Sequence, residues 1–203
     1  MKVALIGVSG RVGSRLLAEM LRRGHEVTGI ARDASGVPSQ AHLTLRSADA
    51  NQPPQLAPIL HGHGAVASAM KFAATHPHAV IAAVKQAAVK RLMVVGGAGS
   101  LDVSPGVLLM DTAGFPDAYK PEAVAGRGFL DVLRGEEELD WTFLSPSAEF
   151  APGKRTGTFR LGHDQLLIGA DGKSRISMED YAIAFVDELE RPRHTRQRFT
   201  VGY

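Results

Sequence analysis

A glycine triplet directly after an apolar run constrains this chain more than any other feature. The run Val3–Ile6 leads into Gly7-Val8-Ser9-Gly10-Arg11-Val12-Gly13, and residues 14–23 then carry apolar side chains at helical spacing. In a strand–turn–helix unit the first glycine makes the turn, the second lets the backbone approach a pyrophosphate, and the third allows close helix–strand packing. The pattern predicts an anion site at a helix N-terminus, formed by Gly7, Ser9, Gly10, Arg11, Val12 and Gly13. The alternative is that the glycines only shape a tight turn.

Short apolar runs alternate with helical patterns along most of the chain. This alternation predicts parallel strands joined by crossover helices, and therefore a Rossmann-type, doubly wound α/β sheet with helices on both faces. The predicted strands are Val3–Ile6, Glu26–Ala31, His42–Arg46, Ala65–Met70, Arg91–Val95 and Asp140–Leu144. The predicted helices are Ser14–Arg23, one ending near Leu60, Pro77–Lys90 and Pro121–Arg134.

The last quarter of the sequence departs from this alternation. We interpret residues 149–203 as a small lobe on the substrate side of a single domain that spans residues 1–203. A polar stretch, Phe159 to Ile168, predicts a hairpin, and Asp171-Gly172 predicts a turn. Ser177 stands as the N-cap of a helix from Met178 to Glu190, and a last short strand follows at residues 199–201.

Composition excludes several classes of function. The 203 residues carry a formal net charge of only +2, which gives no electrostatic footprint for nucleic acid. The chain has no cysteine, so disulfides, thiol catalysis and thiolate metal sites are impossible. Paired histidines at residues 61–63 and 76–78 lack further ligands at metal spacing, and we predict no metal. We expect a cytoplasmic protein with a small-molecule substrate and no membrane partner; its oligomeric state is left open.

Ligands of open parallel sheets bind outside the carboxyl ends of the strands. The residues at the ends of the predicted strands, or soon after them, are therefore the candidates for binding and chemistry. Beyond the glycine loop, they are Arg32, Asp49, Ser68, Ala69, Lys71, Gly96 and Ser100. Lys71 would face either the phosphates or the substrate, although an exposed loop lysine is the commoner case.

The motifs, taken in order, resemble those of the atypical short-chain dehydrogenase/reductase proteins. The resemblance rests on the glycine loop, Ala31-Arg32-Asp33, the Val94–Leu101 segment, the Leu139–Pro146 segment and residues 176–182. It is closest to the NAD(P)H-binding family that includes flavin/biliverdin reductase B and NmrA-like proteins. The resemblance implies a nicotinamide dinucleotide as cofactor, and it covers nearly the whole chain without specifying a substrate.

The second strand ends at Arg32, which stands where the family has its arginine. A guanidinium there can bind the extra phosphate of NADP bidentately, whereas an acidic residue binds the ribose hydroxyls of NAD. We predict a preference for NADP(H), with Arg11 as a second positive charge. NAD(H) stays possible because Asp33 follows. Asp49 resembles the family aspartate beside the adenine; a turn residue is the equally weighted alternative.

The usual catalytic pair of short-chain dehydrogenases, Tyr-x-x-x-Lys, does not occur in this sequence. Ser100 matches a family serine near the nicotinamide, with a loop or cap residue as the alternative, and Tyr119 is the candidate proton donor. The compact length favours an NAD(P)H-dependent reductase of a small carbonyl, flavin or quinone-like acceptor, and flavins or quinones, which need little acid catalysis, would tolerate the missing pair. The alternative, which the missing pair favours, is an NmrA-like redox sensor that binds the dinucleotide without turnover.

Overall fold

A single eight-stranded sheet organises the computed structural model, which describes residues 1–203. Its strand order is β10-β12-β8-β5-β4-β1-β2-β3, and all neighbours are parallel except β10 and β12. The twelve strands are β1 Lys2–Ile6, β2 Glu26–Ala31, β3 Leu43–Ser47, β4 Ala65–Ser68, β5 Arg91–Val95, β6 Asp102–Ser104, β7 Val107–Leu108, β8 Asp140–Pro146, β9 Glu149–Ala151, β10 Arg160–Gly162, β11 Arg175–Ser177 and β12 Gln197–Gly202. The predicted α/β class is confirmed.

Helices cover both faces of the sheet. They are α1 Arg11–Arg22, α2 Pro53–Leu60, α3 Pro77–Gln86, α4 Lys120–Arg134 and α5 Met178–Glu190. One apolar cluster packs α1 and α5 against the sheet through side chains such as Leu16, Tyr181 and Phe185. A second cluster packs the other three helices on the opposite face, with Phe129 and Phe143 at its centre. Each fully buried side chain of this size contributes about 1.5–3 kcal/mol, so the two clusters account for the doubly wound arrangement.

Two predicted helix boundaries are wrong by three or four residues, for local reasons. Helix α1 begins at Arg11 rather than at residue 14, because Gly10 is already its N-cap. Helix α3 ends at Gln86 instead of continuing to residue 90, because Ala88 adopts a left-handed conformation with φ of 57°. An alanine gives no signal for such a stop, since glycine or asparagine is the usual residue there.

The hairpin predicted at residues 159–168 is also wrong. Strand β10 pairs antiparallel with β12, so Leu161 lies opposite Val201 rather than opposite a neighbour in sequence. The free edge of β12 provides backbone groups for this pairing. The turn at residues 169–172 and the Ser177 N-cap are confirmed, since the Ser177 Oγ accepts the Asp180 amide at 3.0 Å.

Residues 149–203 contribute largely to the central layers. Strand β12 lies beside β8, and α5 packs against α1. Only the two-stranded pair of β9 and β11, with the loops around it, stands outside the main sheet near the carboxyl end of β8. A second small pair, β6 with β7, follows β5.

Candidate dinucleotide and acceptor site

The glycine loop turns tightly between β1 and α1. Gly7 has a φ of 85°, and its amide donates to the Ile30 carbonyl at 2.8 Å, which fixes the loop beside the end of β2. A Cβ on Gly7 would lie 2.7 Å from the Ala69 carbonyl oxygen, and a Cβ on Gly13 would overlap the Gly7 carbonyl oxygen. Both positions therefore require glycine for steric reasons, as a loop that brings backbone close to a pyrophosphate does.

The N-terminus of α1 is open to an anion. Its N-cap, Gly10, provides no side-chain oxygen to the first amides, and the first turn contains no acidic residue. Ser9, Gly10 and Arg11 are exposed, while Val12 is half-buried. Unpartnered amides at the positive end of the helix dipole suit a phosphate group, so the residues present fit the pyrophosphate of a dinucleotide.

Three polar residues follow β2 and β3. Arg32 is exposed directly after β2. The Asp33 carboxylate accepts the Ser35 amide at 2.9 Å, and hydrogen bonds from Ser35 hold the pKa of Asp33 below its ordinary value. The Asp49 carboxylate likewise accepts the Asn51 amide at 3.0 Å, forming a turn that leads into α2. Both carboxylates are thus engaged with their own turns, while the guanidinium of Arg32 faces solvent.

The end of β4 lies next to the glycine loop. The Ala69 amide donates to the Ile6 carbonyl at 2.9 Å, and Ser68 is buried beside it. Lys71 is exposed at the start of a short 3₁₀ turn over residues 72–74. That turn is held by Glu122 of α4, whose carboxylate accepts the amides of Phe72 at 2.6 Å and Ala73 at 2.9 Å.

A cavity of about 750 Å³ opens at the carboxyl ends of β5 and β8. It brings four of the predicted residues together, namely Arg11, Gly96, Ser100 and Tyr119, whereas the other predicted residues do not line it. Its apolar wall includes Phe72, Phe115 and Phe150. Sequence reasoning missed Phe150 and Glu122, since neither belongs to a motif.

Tyr119 is the one tyrosine on the cavity wall, and it is 66% exposed. The Tyr181 phenol is buried and donates to the Leu144 carbonyl at 2.6 Å, and burial raises its pKa well above the ordinary value. Tyr203 donates to the Asp180 carboxylate at 2.8 Å, and burial raises its pKa as well. The other two tyrosines therefore serve packing and loop anchoring rather than the cavity.

Ser100 is 7% exposed at the cavity wall. Its Oγ and its carbonyl oxygen both accept from Nη1 of Arg198, at 3.2 and 3.0 Å. Arg198 lies on β12, nearly a hundred residues from Ser100 in sequence, and no sequence motif predicts this contact. No group of three His, Cys, Asp or Glu side chains is placed to hold a metal ion. None of the helices has the length and hydropathy of a membrane span.

The family model for NAD(P)H-binding proteins matches residues 7–192. The chain belongs to the NAD(P)H-binding family. The resemblance inferred from its motifs is therefore confirmed, and the glycine loop lies at the start of the matched region. A nicotinamide dinucleotide as cofactor follows from membership, whereas the reaction and the acceptor do not.

Solved structures of three bacterial proteins resemble the whole chain. A Burkholderia pseudomallei protein provisionally described as exported is 46% identical, with full coverage of both chains and a TM-score of 0.91. A Bacteroides thetaiotaomicron protein provisionally described as an epimerase is 43% identical, covering 100% of this chain and 96% of its own, with a TM-score of 0.95. A Streptococcus pneumoniae protein provisionally described as an NADH-flavin reductase is 33% identical, covering 100% and 99%, with a TM-score of 0.87.

Proposed function

We propose that this member of the NAD(P)H-binding family reduces a small carbonyl, flavin or quinone-like acceptor at the expense of NAD(P)H. The observation that carries the proposal is the cavity at the ends of β5 and β8. Its volume of about 750 Å³ lies within the range of ordinary ligand pockets and suits a nicotinamide ring with a flat acceptor against it. The similarity to a protein described as an NADH-flavin reductase supports the same reaction class.

The bound nicotinamide would supply the hydride, so the chain has to bind and orient the cofactor and the acceptor and to exclude water. The open N-terminus of α1 would hold the pyrophosphate. Gly96 permits close packing of β5 against β8 at the cavity, because a Cβ there would overlap the Phe143 ring and lie 2.7 Å from the Leu144 carbonyl oxygen. The aromatic side chains that line the cavity, Phe72, Phe115 and Phe150, would border a planar acceptor and exclude water from it.

The groups that could donate a proton at this site limit which acceptors it can reduce. Tyr119 is the proposed proton donor; its exposure allows the phenol to regain a proton from water. Its neighbour Lys120 is engaged by Asp117 at 2.8 Å, so no lysine is arranged to assist the phenol in the manner of a Tyr-x-x-x-Lys pair. Acceptors that need little acid catalysis, such as quinones and flavins, therefore suit this site best.

We propose NADP(H) as the preferred cofactor, with NAD(H) as the second choice. Arg32 is exposed beside the glycine loop, while the neighbouring Asp33 carboxylate is occupied by Ser35. Arg32→Ala is expected to weaken NADPH binding about 10- to 30-fold and NADH binding by less than about threefold. Arg193→Ala, an exposed arginine ahead of β12 at the opposite edge of the sheet, is the matched control. Equal losses for both dinucleotides would refute the phosphate role.

The reductase proposal is tested by following NADPH oxidation with flavin, quinone and aldehyde acceptors. We expect acceptor-dependent oxidation that is fastest with quinones or flavins. Dinucleotide binding without oxidation by any acceptor would contradict the proposal and favour the redox-sensor function instead. Fluorescence titration of NADPH, run in parallel, separates that outcome from a protein that does not bind the cofactor.

A further inference from the structure

The strand order indicates where each half of a dinucleotide would lie. A dinucleotide binds across the carboxyl ends of the strands, with its pyrophosphate at the glycine loop. Strand β1 leads into that loop; β4, β5 and β8 follow on one side of β1, and β2 and β3 on the other. The cavity opens at the ends of β5 and β8, so the nicotinamide half would extend that way. The adenosine half would extend the opposite way, over the ends of β2 and β3.

The loop that follows β4 separates these two areas. It comprises residues 69–76, and we call it the partition loop. A Cβ on Gly7 would lie 2.7 Å from the Ala69 carbonyl oxygen, so the partition loop begins in contact with the glycine loop. Further on, Phe72 lines the cavity, and the partition loop ends at His76, the N-cap of α3. One short segment thus borders both the glycine loop and the acceptor cavity.

Asn51, which follows β3, holds the far end of the partition loop. Its side-chain amide makes a two-sided contact with the backbone: Nδ2 donates to the Ala74 carbonyl at 2.9 Å, and Oδ1 accepts the His76 amide at 2.8 Å. The backbone amide of Asn51 donates in turn to the Asp49 carboxylate at 3.0 Å. Asn51 therefore joins the loop after β3 to the loop after β4, on the side where the adenosine half would lie.

A different side chain holds the cavity end of the partition loop. The Glu122 carboxylate, from α4, accepts the amides of Phe72 and Ala73. The Phe72 ring also stacks on Phe143 of β8, with 5.7 Å between the ring centroids. The cavity end is thus fixed by α4 and the sheet without a contact to Asn51, so the two ends can be loosened separately.

We propose that Asn51 is a positioning residue for the adenosine half of NAD(P)H. The inference rests on the dinucleotide site of the proposed function and deepens it. Asn51 locks the partition loop to the loop after β3 before the cofactor arrives, so binding does not have to order these two segments. Because Glu122 holds the cavity end, loss of the Asn51 contacts leaves the nicotinamide half and the acceptor in place.

The binding test uses the adenosine half alone. Adenosine 2′,5′-bisphosphate and ADP present it with and without the 2′-phosphate, and isothermal titration calorimetry measures their Kd. We expect Asn51→Ala to bind both probes about fivefold more weakly than the wild type. The matched control is Gln55→Ala, which removes an exposed side-chain amide of α2 that makes no hydrogen bond and should keep the wild-type affinity. Wild-type affinity in Asn51→Ala, or a wild type that binds neither probe, would overturn the inference.

The kinetic test separates the two ends of the partition loop. With a quinone acceptor, Asn51→Ala should raise the KM for NADPH about fivefold and leave kcat unchanged at saturating NADPH. Glu122→Gln is the complementary variant: we expect it to raise the KM for the quinone and to keep the wild-type affinity for adenosine 2′,5′-bisphosphate. A kcat that falls fivefold in Asn51→Ala, or an equal loss of probe affinity in both variants, would overturn the inference, because the whole site would then be loosened.

The two measurements distinguish the inference from the proposed function. Absence of turnover by the wild type overturns the reductase proposal, and calorimetry then decides the role of Asn51 by itself. Should Asn51→Ala not fold, Asn51→Asp takes its place in both tests. Aspartate keeps an oxygen for the His76 amide but cannot donate to the Ala74 carbonyl, so we expect the probes to bind at least about fivefold more weakly. Wild-type affinity in Asn51→Asp would contradict the two-sided contact.

Discussion

Gly13 and Gly128 offer the same substitution with opposite expected results. Both lie in helices, where alanine is preferred over glycine by about 1 kcal/mol. A Cβ at Gly128 meets no atom within 4 Å. Gly128→Ala should therefore raise the Tm by about 2–4 °C in a chain of this length.

A Cβ at Gly13 would overlap the Gly7 carbonyl oxygen and lie 2.9 Å from the Gly7 carbonyl carbon. Both neighbours are backbone, so the glycine loop has to shift away from α1. Such overpacking costs about 1–3 kcal/mol, and less the about 1 kcal/mol that alanine gains in a helix the net cost of Gly13→Ala is up to about 2 kcal/mol, which lowers the Tm by up to about 8 °C.

The shift would also displace the amides that we propose bind the pyrophosphate. We expect NADPH affinity to fall at least about tenfold in Gly13→Ala and to remain at the wild-type value in Gly128→Ala. Differential scanning calorimetry and fluorescence titration of NADPH measure the two effects. An unchanged Tm together with unchanged affinity in Gly13→Ala would refute the steric reasoning about the loop.

Three further substitutions follow from the structure. Glu19 is 4% exposed, and hydrogen bonds led by that from Arg155 hold its pKa below the ordinary 4.5. Glu19→Gln should cost about 2 kcal/mol at neutral pH in urea unfolding. Because the folded-state pKa is lowered, this contribution exists above about pH 4.5 and is lost as the pH falls through the folded value, so the two proteins should converge in acid. A difference that persists at low pH would contradict this assignment. Glu122→Gln weakens the cap on the amide of Phe72 and should lower the free energy of unfolding by about 1 kcal/mol; an unchanged midpoint in urea would show that the cap contributes nothing. Tyr119→Phe should reduce kcat on the order of 100-fold with aldehydes and less with quinones, at constant NADPH affinity; equal activity with aldehydes would exclude the phenol as donor.

The central strands are readable from the sequence because they are buried on both faces. The residues of β1 and β5 form nearly continuous apolar runs, which leave little choice of structure. The start of α1 is harder to predict from the sequence, since glycine disfavours helix in the absence of tertiary contacts. Gly13 is helical because its backbone packs against Gly7, and helix propensity, which depends on the local sequence, does not predict that contact.

Non-local pairings set the limit for the rest. The strand at Leu161 is fixed by the free edge of β12, which lies forty residues further along the chain. The residues of the site likewise include some that the sequence predicts and some that it does not. Gly96 and Ser100 follow a strand, so their place at the cavity is predictable, whereas Phe150 reaches it from a short strand with no motif. Arg198 reaches Ser100 only through the pairing of β12 with β8.

We propose that this chain transfers hydride from a nicotinamide dinucleotide to an acceptor held in the cavity beside Ser100 and Tyr119. The most direct measurement uses NADPH that carries deuterium on one or the other face of C4, together with a quinone acceptor. We expect NADPH to be consumed in equimolar amounts with the acceptor, and deuterium on one face alone to slow the reaction. NADPH that binds but is not consumed, or consumption that is equally fast with both labels, would contradict the account.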